Sequence, residues 1–364
     1  MTIMTPQTIQ QACKRGEILA DIQVIDRNFK DLDLSGGILA EIDLSGADFS
    51  GCNLQETQFS ECQLQGSNFR QTQLKETLFN ESNMTAAVFD NGTLEECLFN
   101  QCILDEVRFN DGILVAIKFN NCSLNDSNFE LSSLYQCTFI EVGLSQAILS
   151  YTGCEECTFM KTDLRQTDFS ASNFFLTTFF ECDQRDAQYA DMRFERCQFQ
   201  KCRLEGVNFA GTTLSGSNFS HLSLFGTRLD GVQAERAMFC GCELTGTDCR
   251  NACFNQANFS DATLTGCDFS NSSLQRALFQ KASARQTRFY QCALHYADFS
   301  YALVDDADFT GAQFQQTRFH RASQQESRFS SRDGISEQDD ALFAAENWQP
   351  KTRPKPQEDY HEPG

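Results

Sequence analysis

Histidine and proline are scarce in this chain, and tryptophan occurs once. There are four histidines: the repeat described below puts His221, His295 and His320 at outward corner positions, and His361 lies near the end. None is expected beside a buried carboxylate or serine, which is what acid–base or nucleophilic catalysis needs. Apart from the pair Gly36-Gly37, glycines come singly and nowhere form a phosphate-cradling loop, so nucleotide chemistry has no foothold. No apolar run approaches the roughly 18 residues of a spanning helix. The start, Met1-Thr2-Ile3-Met4-Thr5-Pro6, lacks the charged beginning and apolar centre of a secretory signal. The expectation is a cytoplasmic protein without membrane insertion. Basic residues are also in deficit: 29 Lys and Arg face 50 Asp and Glu, a net charge of −21. Such a surface repels nucleic acid and favours basic protein partners, so no direct nucleic-acid binding is expected.

What the chain has in abundance is repetition. From Ile22 to Phe329 a large residue, usually Leu or Phe, returns at every fifth position without insertion or deletion. Of the 34 phenylalanines, 26 stand at a number ending in 9, while leucine prefers numbers ending in 4. A helix would smear a five-residue period around its surface, whereas short extended segments do not. In Ala47-Asp48-Phe49 the outer two side chains point one way and Asp48 the other. Ser50 and Gly51 then turn a corner before Cys52 begins the next triad. The 18 cysteines follow the same logic. Thirteen sit two places before the large residue, alternating there with Ala, Ser, Thr, Val and Gly, which is how a small core filler behaves. Cys154-Glu155-Glu156-Cys157 has the spacing that the repeat itself imposes, so neither a metal nor a cofactor is expected.

Ala47-Asp48-Phe49-Ser50-Gly51, Ser217-Asn218-Phe219-Ser220 and Ala307-Asp308-Phe309-Thr310-Gly311 resemble the pentapeptide-repeat family, in which a small residue, Asp or Asn, and Leu or Phe are followed by two polar residues. The resemblance implies an all-β fold: a right-handed quadrilateral parallel β-helix, a solenoid with four pentapeptides per coil. About 15 coils, stacked at roughly 4.8 Å, would make a rod of about 70 Å. Short capping helices are expected at the ends, because a solenoid exposes core and unpaired strand edges there. Residues 1–21 form the N-terminal cap, with Thr5 as helix cap, Pro6 opening the helix and Ile9, Ala12 and Cys13 as its apolar stripe. Residues 22–330 form the β-helix. Residues 331–348 form a C-terminal capping segment, and the proline-rich 349–364 a disordered tail. Within the array Gln184 places an amide at a large inward position, Tyr189 follows it, and Met192 and Leu222 enlarge small positions. The segment 181–191 is where weaker packing or a bend is expected.

A 20-residue coil turns sequence into columns. Glu41, Glu61 and Glu81 share one column and Glu56, Glu76 and Glu96 another, two acidic ladders that suit a basic protein partner. The asymmetry agrees, since residues 1–180 hold 25 acidic and 10 basic residues, and residues 181–364 hold 25 and 19. A second surface is apolar. Ile140, Met160 and Phe180 occupy one outward column, and Val115, Tyr135 and Phe175 another with Leu176 beside it, a clustering that marks protein interfaces. The functional expectation is a non-enzymatic interaction scaffold or adaptor, a rigid acidic rod, monomeric or dimerised end to end. The family resemblance adds two settings: accessory or effector-loading work in a bacterial type VI secretion system, and DNA mimicry directed at DNA gyrase or topoisomerase IV.

Overall fold

The computed structural model describes residues 2–348, so the expected tail at 349–364 lies outside the described residues. Between Ile18 and Phe329 paired residues are 20 apart and parallel, as in Leu39↔Phe59↔Phe79 and Asp48↔Asn68, and the spacing falls to 18 only where Thr317–Arg318 meets Ile335–Ser336. Four ladder positions per coil, for example Asp43, Asp48, Asn53 and Gln58, define four sides. We number the sides by their central inward residues: side one contains Leu44, side two Phe49, side three Leu54 and side four Phe59. Side four carries a ten-stranded sheet running from Ile18–Ala20 to Gln198–Gln200, and side three a seven-stranded sheet from Gln73–Lys75 to Arg193–Glu195. Beyond Gln200 all four sides are held by single bridges, until short two-residue strands appear near the end.

The solenoid has about 17 turns rather than 15. Backbone pairing outruns the side-chain pattern at both ends. Strand β1 (Thr2–Met4) pairs with a segment 20 residues on, Ile22–Val24, and Ile335–Ser336 pairs with Thr317–Arg318, although neither outer segment has the repeat. Strand ladders need only backbone groups, so they extend past the last Phe.

Inside, phenylalanines on sides two and four stack in two columns. Rings 20 residues apart lie parallel, with Phe59–Phe79 at 5.1 Å and Phe79–Phe99 at 4.9 Å, while rings on opposite sides meet edge to face, with Phe79–Phe89 at 6.5 Å and 87°. Both arrangements suit the ring quadrupole. The small inward position is more than filler. Thr57 donates its hydroxyl to the Leu34 carbonyl (3.0 Å), Ser67 to Leu44 (3.0 Å), and the thiols of Cys102 and Cys122 to Phe79 and Phe99 (3.3 Å each). Each bond gives a carbonyl in the dry interior a donor from the next coil, which explains why Ser, Thr and Cys share the position with Ala. All 18 cysteines are free, and burial pushes thiols such as Cys52 and Cys292 up to about 12.

The turns have a feature that hydropathy does not display. The second corner residue is left-handed almost throughout, whatever its type, with Asp26 and Gln166 as exceptions: Glu41 has φ +54°, Ala116 +54° and Gly46 +68°. Only glycine adopts this region without strain, the penalty for other residues being about 1 kcal/mol each. Ala116→Gly is therefore expected to raise stability by about 0.5–1 kcal/mol in urea denaturation.

Helix α1 (Pro6–Lys14) starts on Thr5, whose hydroxyl accepts from the Thr8 amide, and buries Ile9, Ala12 and Cys13. It lies against strand β2 (Ile18–Ala20), the otherwise free edge of the ten-stranded sheet. Helix α2 (Asp340–Glu346) starts on Asp339 and buries none of its residues. It is tied down by polar contacts. His320, expected to face outward, is buried (1 % exposed) with Nε2 3.3 Å from Glu346 and Nδ1 accepting the Asp339 amide at 3.1 Å. Since α2 packs over this corner, the imidazole serves as a structural latch, and Arg321 pairs with the same Glu346.

Candidate functional site

The two glutamate ladders border the same side. Glu56 precedes and Glu61 follows strand Gln58–Ser60, and Glu76 and Glu81 flank Leu78–Asn80 in the same way. With Glu41 and Glu96 they are all exposed left-handed corner residues, with φ between 49° and 57°. Higher on one of these edges the charge pattern changes: Lys161 reaches Glu141 at 2.7 Å and Lys201 reaches Glu181 at 3.1 Å. On that edge the run of unpaired glutamates is thus confined to the early coils, while on the other edge Glu156 recurs exposed and without an ion pair.

The apolar residues fall into two groups. Ile140, Met160 and Phe180 stack directly as the last residues of three neighbouring strands of the ten-stranded sheet, each half-buried. Val115, Tyr135 and Phe175 lie on the seven-stranded sheet, where Glu155 separates Tyr135 from Phe175. Leu176 occupies the corner between the two sheets. Both phenylalanines carry a cation on their C-terminal side: Arg196 lies 5.8 Å from the Phe175 ring centre and Lys201 5.2 Å from that of Phe180. The two columns therefore touch only through the coil 173–180, and the seven-stranded sheet is the broader surface.

That sheet has an apolar border, of which the expected site residues included Leu176 but not Leu131 or Tyr151. Leu131 (56 % exposed) and Tyr151 (61 %) form the corner preceding side three, and Leu176 (40 %) the corner following it. All three are left-handed, with φ of 63°, 57° and 52°. A large side chain at such a φ is an outlier, and strain combined with exposed apolar surface brings no folding benefit. Between the corners the surface is hollowed. Gly153, extended and not at a corner, has nothing within 4 Å of where a Cβ would stand. Cys154 beneath it replaces the usual Leu. A groove of about 240 Å³ results, lined by Ser133, Tyr135, Gly153, Cys154, Glu155 and Phe175. It adjoins a second hollow of about 330 Å³ along Asn173, Phe175, Arg193 and Glu195. The sequence signal for the groove was a glycine outside the corner positions, directly before a cysteine at a large position.

Among the described residues no group of three or more His, Cys, Asp or Glu side chains is placed to hold a metal ion, and no helix is long and apolar enough to cross a membrane.

A four-sided parallel solenoid with a Leu/Phe interior, left-handed corners and a 20-residue coil is the architecture of pentapeptide-repeat proteins. The chain belongs to that family: the model described as "Pentapeptide repeat region" matches residues 21–89, 56–129, 132–209 and 262–333, and "Pentapeptide repeats (8 copies)" matches 193–231, 223–261 and 242–280. Solved structures are similar to the chain at low identity. HetL, a pentapeptide-repeat protein involved in heterocyst differentiation regulation from the cyanobacterium Nostoc sp., is 21 % identical, with 76 % of this chain and 97 % of HetL covered and a TM-score of 0.23. Full-length QnrB1, a plasmid-mediated fluoroquinolone resistance protein, is 16 % identical over 67 % of this chain and 93 % of its own, with a TM-score of 0.21. Rfr23 from the cyanobacterium Cyanothece is 16 % identical over 36 % and 91 %, with a TM-score of 0.16. No curated protein matches the chain.

Proposed function

We propose that the protein is a non-enzymatic interaction scaffold whose docking surface is the seven-stranded sheet between Leu131 and Leu176. The observation that carries this reading is the placing of Leu131, Tyr151 and Leu176 at strained, exposed corners around the Gly153 groove. Aromatic anchors beside a hollow, with charged residues at the rim, match the composition of protein interfaces. Glu155 in the groove and Glu156 at the next corner, both exposed and without an ion pair, suit a partner with basic residues. The reduced cysteines fit a cytoplasmic setting. Accessory or effector-loading work in a secretion system is a finer form of the same reading, which identification of the partner would test. Tyr151→Asp combined with Phe175→Asp leaves both backbone conformations untouched. The double variant is expected to fold normally and to bind the partner retained by the wild type at least about 100-fold more weakly, a loss of about 2.7 kcal/mol. Unchanged capture by a folded variant would place docking elsewhere.

The paired glutamate ladders favour a second reading, mimicry of DNA. Two edges carrying one carboxylate per ~4.8 Å rung give one charge per ~2.4 Å, near the ~1.7 Å of duplex DNA. This density lasts only from Glu41 to Glu96, and ion pairs neutralise the same edge from Glu141 onward. A gyrase supercoiling assay decides the matter: no inhibition and no relief of quinolone inhibition at micromolar protein removes the second reading.

A further inference from the structure

The ladders are continuous along most of the rod, but they open twice within a short stretch. On side two, residue 148 pairs with 168 and 188 with 208, yet no bridge joins 168 to 188. The amides of Phe169 and Ala171 accordingly find no acceptor in the coil above, whereas their counterparts one coil earlier do: Leu149 donates to Asp168 at 2.7 Å and Tyr151 to Ser170 at 2.9 Å. Gln146 donates to the Gln166 carbonyl (3.2 Å), one residue beyond the acceptor that the register of Asp126 on Ser145 calls for, and Gln166 lacks the left-handed conformation of the neighbouring corners Lys161 and Ala171, so the corner leading into coil 166–171 is rebuilt. On side one, 183 pairs with 203 and 223 with 243, but 203 does not pair with 223. A hollow of about 270 Å³ occupies the first opening, lined by residues that include Arg165, Asp168, Asp186 and Gln188.

The interior supplies the cause. Tyr189 takes the place of a Phe and donates its hydroxyl to Gln184 (3.0 Å), while Gln184 Nε2, fully buried, has no partner. The Phe169–Tyr189 pair stands at 6.3 Å and 62°, against 4.8 Å and 20° for Phe109–Phe129 in the same column. Leu222, too large for its small position, sits beside the second opening. Both regular sheets end within the same stretch, at Glu195 and Gln200. Missing ladder bonds on two adjacent sides, a broken ring stack and an unpaired buried amide converge on one region.

We infer that residues 166–223 form a hinge that divides the rod into two stiff arms and lets the coils part on sides one and two. Sides three and four remain paired through this stretch by Phe174↔Phe194 and Phe179↔Phe199, so bending opens the wall away from the docking sheet and pivots about it. Hydrogen exchange read by mass spectrometry tests the opening, comparing residues 166–171 with 146–151 in the intact chain. Amides in the first segment should exchange at least about tenfold faster, the factor lost with one hydrogen bond of ordinary strength. Gln184→Leu with Tyr189→Phe should restore protection; if that variant does not fold, Leu222→Ala, which returns a small residue to the second opening, should restore it at the Leu204 amide. Small-angle scattering tests the bend: the wild type should require a spread of inter-arm angles, and the closed variant a single straight rod. Equal protection of the two segments overturns the inference. So does fast exchange accompanied by scattering that one straight rod explains, because an opening without bending is not a hinge.

Discussion

Phe119→Ala should lower the stability of the folded protein by about 3–5 kcal/mol in urea denaturation. Phe119 is fully buried, stacks on Phe99 and Phe139 at 5.0 Å each, and meets Phe109 and Phe129 edge to face at 6.0 and 6.2 Å. Truncation removes four aromatic contacts together with the transfer of the ring from water. The cavity cannot collapse, because each coil is held at its height by ladders on four sides. In a solenoid every coil touches only its neighbours, so the loss is local: amide protection should fall first between residues 99 and 139, and later at the ends. Phe225, 62 % exposed, is the control, since Phe225→Ser should stay within about 0.5 kcal/mol of the parent.

Ile9→Asp is expected to unseat helix α1 and convert a monodisperse protein into one that associates end to end. Ile9 is fully buried, and placing an unpaired carboxylate there disfavours docking by several kcal/mol. The short helix is marginal without that docking. Once α1 leaves, the edge of strand β2 and the first core layer around Leu19 and Leu39 are bare, and the row of free N–H and C=O groups becomes a template for another chain. Light scattering coupled to size exclusion should show mass rising with concentration for Ile9→Asp and a constant mass for Ile9→Leu. A variant that stays at its original mass would show that β1 caps the end by itself. Helix α2 offers a contrast: it covers no core, being held through Glu346 to His320 and Arg321.

Docking at the seven-stranded sheet and bending between residues 166 and 223 fit together physically. Phe175 and Leu176 stand on the coil that forms the lower lip of the opening. A partner bound there grips sides that stay paired, so binding and bending can occur together without breaking further ladder bonds.

Much of this was legible in the residues. A side chain that alternates in and out of an extended triad has only two directions, so the period of five assigns Phe49, Leu54 and Cys52 to the interior before any contact is known. Thr5, Pro6 and the spacing of Ile9, Ala12 and Cys13 mark α1 through local rules alone. Gln184 and Tyr189 drew attention to the segment 181–191 because a buried amide disturbs packing wherever the coil lies, whereas the positions of the missing bridges, 168–188 and 203–223, were not legible. His320 was misplaced, since its burial depends on α2, a segment outside the repeat that folds back over the corner.

The sequence by itself determined the inward and outward faces, the acidic surface and the region where regularity fails, because each follows from the periodicity and chemistry of neighbouring residues. Only the tertiary structure decided that both glutamate ladders border one side, that Leu131 and Tyr151 join Leu176 around a groove at Gly153, and which ladder bonds are missing above Phe169. Those facts depend on the corner conformation and on the height of one coil above the next. Both are set by the packing of side chains 20 residues apart, which no single repeat contains.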